Sequence, residues 1–150
     1  MGQKILVVDD EKPIRELLRH KLSVLGFEVV TAKNAKEFSE CAFAQKPDLI
    51  ILDIWLKNKI GPDVYHELLR VGFDEEVPVI FITALIEGEP KRTQMLPGKK
   101  YALYSKPFDF EKLVHEIHYL LNQSTCEEKT RDSQKRFNNE IHGNYFIERR

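Results

Sequence analysis

Leu49-Ile50-Ile51-Leu52-Asp53 is the stretch on which the fold turns: an unbroken apolar run closed by an acid. A half-exposed strand would alternate apolar and polar residues. An uninterrupted run predicts a strand covered on both faces, as in a parallel sheet with helices on either side. Residues 5–8 repeat the form and close on Asp9-Asp10. Residues 77–82 repeat it and end on Thr83-Ala84, and residues 101–104 run into Ser105-Lys106-Pro107. Residues 28–31 read as a shorter strand.

The segments between these runs are amphipathic. Pro13 suits a first helical residue, Ile14, Leu17, Leu18, Leu22 and Leu25 recur at helical spacing, and Gly26 predicts the end. A weaker helix over 35–44 carries Phe38, Cys41 and Ala42, and Lys46-Pro47-Asp48 breaks it. Gly61-Pro62 opens a third helix with Val64, Leu68 and Leu69 inward. Asp109 caps a last one with Leu113, Ile117, Leu120 and Leu121. Between Ile82 and Tyr101, Gly88, Pro90, Pro97 and Gly98 are incompatible with one regular helix, so a shortened or irregular fourth helix is expected. The order is therefore βα repeated five times. With right-handed crossovers this predicts an α/β fold, a doubly wound five-stranded parallel sheet. Residues 1–122 form the predicted domain. Residues 123–150 form a charged C-terminal tail or linker, where Phe137, Ile141 and Tyr145 keep helical spacing despite Gly143. The tail reads as a linker, as a helix packing on the domain or on a second copy in a homodimer, or as the start of an output domain.

Bulk properties exclude several classes. The chain has 150 residues, 42% hydrophobic and 31% charged, a globular composition. A net charge of -1 gives no electrostatic case for nucleic acid as a partner of this chain. No apolar run approaches the roughly 20 residues that span a bilayer, and no signal-peptide pattern is found, so no membrane partner is expected. Cys41 and Cys126 lie outside any metal-ligand spacing, which with the rest predicts a cytoplasmic setting.

In a parallel sheet all strand carboxyl ends lie on one edge. Asp9, Asp10, Asp53, Thr83 and Lys106 should therefore converge at the crevice where such sheets bind ligands. Clustered carboxylates repel and raise one another's pKa. A hard divalent cation offsets the repulsion, and oxygen ligands with several waters suit Mg2+. A carboxylate beside it can attack phosphorus, while the lysine and the hydroxyl stabilise the transferring oxygens. Each residue alone has an ordinary explanation: acids favour helix N-termini, Thr83 suits a strand end, and Lys106 suits a surface. Their joint placement favours chemistry. His115 and His118 share a helix face but lack an evident third ligand, so solvated histidines are the simpler reading.

At these residues the chain resembles the receiver domains of two-component response regulators, which have a flavodoxin-like fold. The matching segments are Val7-Val8-Asp9-Asp10-Glu11, Leu52-Asp53-Ile54-Trp55-Leu56, Ile82-Thr83-Ala84 and Ser105-Lys106-Pro107-Phe108. The resemblance covers roughly residues 3–122, and residues 52–56 are similar to receivers of nitrogen-regulation type. It implies Asp53 as phosphoacceptor, Asp9 and Asp10 as Mg2+ ligands, and the backbone carbonyl of Trp55 completing the protein ligands. It implies Thr83 as the switch hydroxyl, Lys106 as the phosphoryl partner and a cis bond before Pro107. The partners implied are a histidine kinase or phosphotransfer protein and an unknown downstream protein, in a module that is not itself an enzyme. Lys57 departs from the family's usual proline. Leu103 departs from its usual switch aromatic, and Tyr104 beside it should point to the other sheet face. The alternatives are a phosphorylation-independent protein-binding module of this fold and a Mg2+-dependent aspartyl phosphatase. The phosphatase would need a second aspartate where Trp55 stands.

Overall fold

A computed structural model describes residues 2–84 and 101–124. The expected fourth-helix region, with Pro90 and Pro97, lies outside the described residues. So does the tail beyond residue 124, with Cys126, Phe137, Ile141 and Tyr145.

The elements follow in the order β1 (Lys4–Val8), α1 (Lys12–Val24), β2 (Glu28–Ala32), α2 (Ala35–Gln45), β3 (Leu49–Asp53), β4 (Trp55–Leu56) and β5 (Lys59–Ile60). Then come α3 (Gly61–Arg70), β6 (Val79–Ala84), β7 (Tyr101–Lys106) and α4 (Phe110–Ser124). Five strands form one sheet in the order β2-β1-β3-β6-β7, and every neighbouring pair in it is parallel. This is the expected doubly wound sheet, with strand order reversing between β1 and β3.

The apolar runs bury both faces by alternation. Leu6, Val8, Ile50, Leu52, Val79 and Phe81 pack with Phe38, Ala42, Val64, Tyr65 and Leu68 of α2 and α3. Ile5, Val7, Leu49, Ile51, Ile80 and Ile82 pack on the other face with Leu18 and Leu22 of α1 and Leu113, Ile117 and Leu121 of α4. Leu103 falls in the first cluster and Tyr104 in the second, as alternation requires.

Turn chemistry ends the helices where the sequence predicts. Gly26, at φ +93°, follows α1, and the Phe27 N–H donates to the Leu22 carbonyl at 3.2 Å, the closing bond of a Schellman motif. Asp109 caps α4, its Oδ1 accepting from the Glu111 N–H at 3.0 Å. The strand near residue 77 begins instead at Val79 and extends to Ala84. Pro78 has no N–H for the ladder, though its carbonyl accepts from Ile50. Because β6 reaches Ala84, β7 reaches Lys106, paired with it in register. Ser105 and Lys106 are thus strand residues rather than loop.

The sequence reading did not anticipate a two-residue hairpin, β4–β5, directly after Asp53. Its turn is Lys57-Asn58, with Lys57 at φ +44°. Proline is locked near −65° and cannot adopt that angle, so the turn as formed here is incompatible with proline at 57. The hairpin leads into Gly61, where an added Cβ would lie 2.2 Å from the Asp53 carbonyl oxygen. Only glycine lets α3 start against the end of β3.

Candidate phosphoacceptor site

β1 delivers Asp9 and Asp10, β3 delivers Asp53, β6 delivers Thr83 and β7 delivers Lys106, all to one edge of the sheet. Asp9 is fully buried, and Asp53 and Thr83 are nearly so. Asp9, Asp10, Glu11 and Asp53 each offer a carboxylate oxygen, and these four oxygens lie within 4.8 Å of one another. Among the described residues this is the one group of acids, histidines and cysteines disposed to hold a metal ion. His118 instead lies with its ring 5.4 Å from that of Phe27.

Lys106 spans the cluster. Its Nζ lies 2.8 Å from Asp9 Oδ2, 3.0 Å from Glu11 Oε1 and 3.1 Å from Asp53 Oδ2. The contact with Asp9 is one of charge without hydrogen-bond alignment, and Asp9 Oδ2 has no hydrogen-bond partner among the described residues. The other oxygens are anchored by backbone: Asp9 Oδ1 accepts from the Glu11 N–H at 2.8 Å, and Asp53 Oδ1 from the Trp55 N–H at 3.0 Å. Arg15 Nη1 donates to the Asp9 carbonyl at 2.8 Å, tying α1 to the end of β1.

Burial sets the electrostatics. It pushes the Asp53 carboxyl up to about 6, helped by the charge of Asp9 and opposed by the Trp55 N–H and Lys106. Asp9 is raised by burial too, against the pull of Lys106. For Lys106, burial alone would lower the ammonium, but its contacts with Asp9, Glu11 and Asp53 outweigh that and hold it above the ordinary lysine range.

These residues fit a hard divalent cation. The donor set is all oxygen, four carboxylates share one lysine as their countercharge among the described residues, and the buried Asp9 Oδ2 has there no partner but that ammonium. The Trp55 backbone is also disposed to take part. The Gly61 N–H donates to the Ile54 carbonyl at 2.7 Å, so the Trp55–Ile60 pair is of the non-hydrogen-bonded kind, which leaves the Trp55 carbonyl out of the ladder. The Trp55 side chain is half-buried against the α2–α3 side of the core, with its Nε1 buried and unpartnered among the described residues. Thr83 Oγ1 donates to the Ala84 carbonyl at 3.0 Å. The Lys106–Pro107 bond is cis.

Sequence reasoning missed Glu11 as a member of the cluster. The signal was the run of acids Asp9-Asp10-Glu11, but acids are common at helix starts, and nothing local says that this one turns back to Lys106.

Sheet order, buried carboxylates and a bridging lysine define a receiver-type signalling domain. The chain belongs to the response regulator receiver domain family, whose model it matches over residues 5–118. It is 33% identical over 124 residues to the phosphate regulon transcriptional regulatory protein PhoB of Pseudomonas aeruginosa, covering 83% of this chain and 54% of that protein. It is 35% identical over 123 residues to the probable transcriptional regulator ycf27 of Cyanophora paradoxa, covering 81% and 49%. The chain thus spans about half the length of the curated relatives it matches. Among solved structures, NtrX from Brucella abortus superimposes with a TM-score of 0.73 at 30% identity, over 91% of this chain and 31% of that one. That likeness agrees with the nitrogen-regulation character of residues 52–56. No helix among the described residues is long and apolar enough to cross a membrane.

Proposed function

We propose that the chain is the receiver of a two-component phosphorelay. In this reading it accepts a phosphoryl group on Asp53 from the phosphohistidine of a histidine kinase or phosphotransfer protein, in the cytoplasm and with Mg2+. The observation that carries this is the position of Lys106 Nζ, 3.1 Å from Asp53 Oδ2 and 2.8 Å from Asp9 Oδ2 in a buried pocket. Asp9, Asp10, Asp53 and the Trp55 carbonyl would hold the Mg2+, which when bound neutralises charge on the transferring oxygens. A carboxylate oxygen of Asp53 attacks phosphorus in line. The bond from phosphorus to the donor's imidazole nitrogen breaks, and its electron pair stays on that nitrogen. With its carboxyl at about 6, Asp53 is mostly ionised at neutral pH and needs no base. Lys106 moves from the Asp53 carboxylate to a phosphoryl oxygen, and the Thr83 hydroxyl leaves Ala84 to donate to another.

The new dianionic group biases the loops around the pocket, and the signal passes on by protein contact. Trp55 stands where an aspartyl phosphatase needs its second acid, so we read a module that is modified rather than an enzyme that turns over phosphate esters. The test is intact-mass spectrometry after incubation with acetyl phosphate and Mg2+. The expected result is a gain of one phosphoryl group in the parent and none in Asp53→Asn. An unmodified parent that also fails to bind beryllofluoride would overturn this in favour of a phosphorylation-independent module.

A further inference from the structure

We propose that Glu11 is a positioning residue for Lys106: it retains the ammonium at the rim of the pocket when a divalent cation takes over Asp9, and it does not ligate the cation itself. This rests on the reading of the acidic cluster as a Mg2+ site. Lys106 Nζ touches three carboxylates of unlike exposure. The side chains of Asp9 and Asp53 are 0% and 5% exposed, whereas that of Glu11 is 56% exposed. A cation entering among oxygens that lie within 4.8 Å of one another competes with the ammonium for Asp9 and Asp53 and repels it. The ammonium has to leave the deep part of the pocket.

Its escape is confined. The Lys106 backbone is paired with Ala84 at the end of β7, and its side chain is only 12% exposed, so the movement has to come from the side chain. Glu11 Oε1, already 3.0 Å away, belongs to the most exposed of the three acids that the ammonium touches. The Glu11 main chain is equally fixed. Its N–H is held by Asp9 Oδ1, and its carbonyl accepts from Arg15 at the start of α1. The side chain alone is free to follow the ammonium outward. Asp9 shows the opposite character: it is fully buried, and among the described residues its Oδ2 has only the ammonium, 2.8 Å away, as a partner. The two acids therefore divide the work, Asp9 facing the cation and Glu11 holding the lysine that the cation displaces.

The experiment is a double-mutant cycle on Mg2+ affinity, measured by titration calorimetry in the parent, Glu11→Gln, Lys106→Met and the double variant. Glu11→Gln should weaken Mg2+ about tenfold in the parent. In the Lys106→Met background it should weaken Mg2+ about threefold or less, because there only the loss of one nearby charge is felt. Glu11→Asp keeps the charge but shortens the arm and should resemble Glu11→Gln in the parent. An equal or larger effect of Glu11→Gln without Lys106 would make Glu11 a direct ligand and overturn the proposal, as would parent-like affinity in Glu11→Asp. A parent that fails to bind Mg2+ at all would overturn the cation-site reading and the proposal with it.

Discussion

Burial of the Asp53 carboxyl costs folding free energy. The carboxyl is raised to about 6 from 3.8, so between these values the folded chain binds more protons than the unfolded one. Stability from this group therefore falls as pH rises through that window, and the penalty is complete above about pH 6. Asp53→Asn removes it. Without divalent cation the variant should be more stable than the parent by about 1–2 kcal/mol at pH 7.5. The gain should vanish at pH 4 and shrink when Mg2+ neutralises the parent's cluster. Thermal unfolding at both pH values checks this, and a gain independent of pH would refute it. Trp55 acts on Asp53 Oδ1 through its N–H, while its side chain packs half-buried on the α2–α3 side of the core. Trp55→Asn should speed hydrolysis of phosphorylated Asp53 by admitting water, and unchanged or slower decay would refute that role. At this scale the site residues were legible because strand carboxyl ends advertise themselves: a polar residue after an apolar run. Glu11 was not legible because its role depends on Lys106, 95 residues away.

At the scale of elements, runs such as 49–52 could be read because burial on both faces leaves no ambiguity of period. The hairpin after Asp53 could not. Its strands are two residues each, too short for any period, and Lys57-Asn58 lacks the glycine that usually marks such a turn. Pro78 was legible in principle as the residue that delays the start of β6, whereas the extension of β6 to Ala84, paired with Lys106, had no signal in the sequence. The hairpin makes its own prediction. Lys57 at φ +44° bears a strain that glycine would not. Lys57→Gly should therefore stabilise the domain by about 0.5–1 kcal/mol, whereas Lys57→Pro should destabilise it by more than that. Denaturant titration of both variants checks the pair, and equal midpoints would show that the turn does not hold this angle.

Among the described residues, the candidate site lies wholly between Asp9 and Lys106, within a family match that ends at 118. A chain truncated after Ser124 keeps all of α4 and should accept a phosphoryl group from acetyl phosphate at the parent's rate. A marked loss of rate, with the truncated chain still folded by circular dichroism, would assign the remaining segment a part in the reaction. The two core clusters are separated by the sheet, yet the site draws on both helical layers. α3 starts against Asp53 through Gly61, and α1 is tied to Asp9 through Arg15.

Lys106 closes the last strand of the sheet, and β7 is an edge strand. Asp9 and Asp53 stand at the ends of directly paired strands, β1 and β3, and the ammonium between them arrives from across the sheet on β7. The residue that would complete the phosphorylation chemistry is thus also the one that supplies the countercharge between two neighbouring strands from the rim of the sheet.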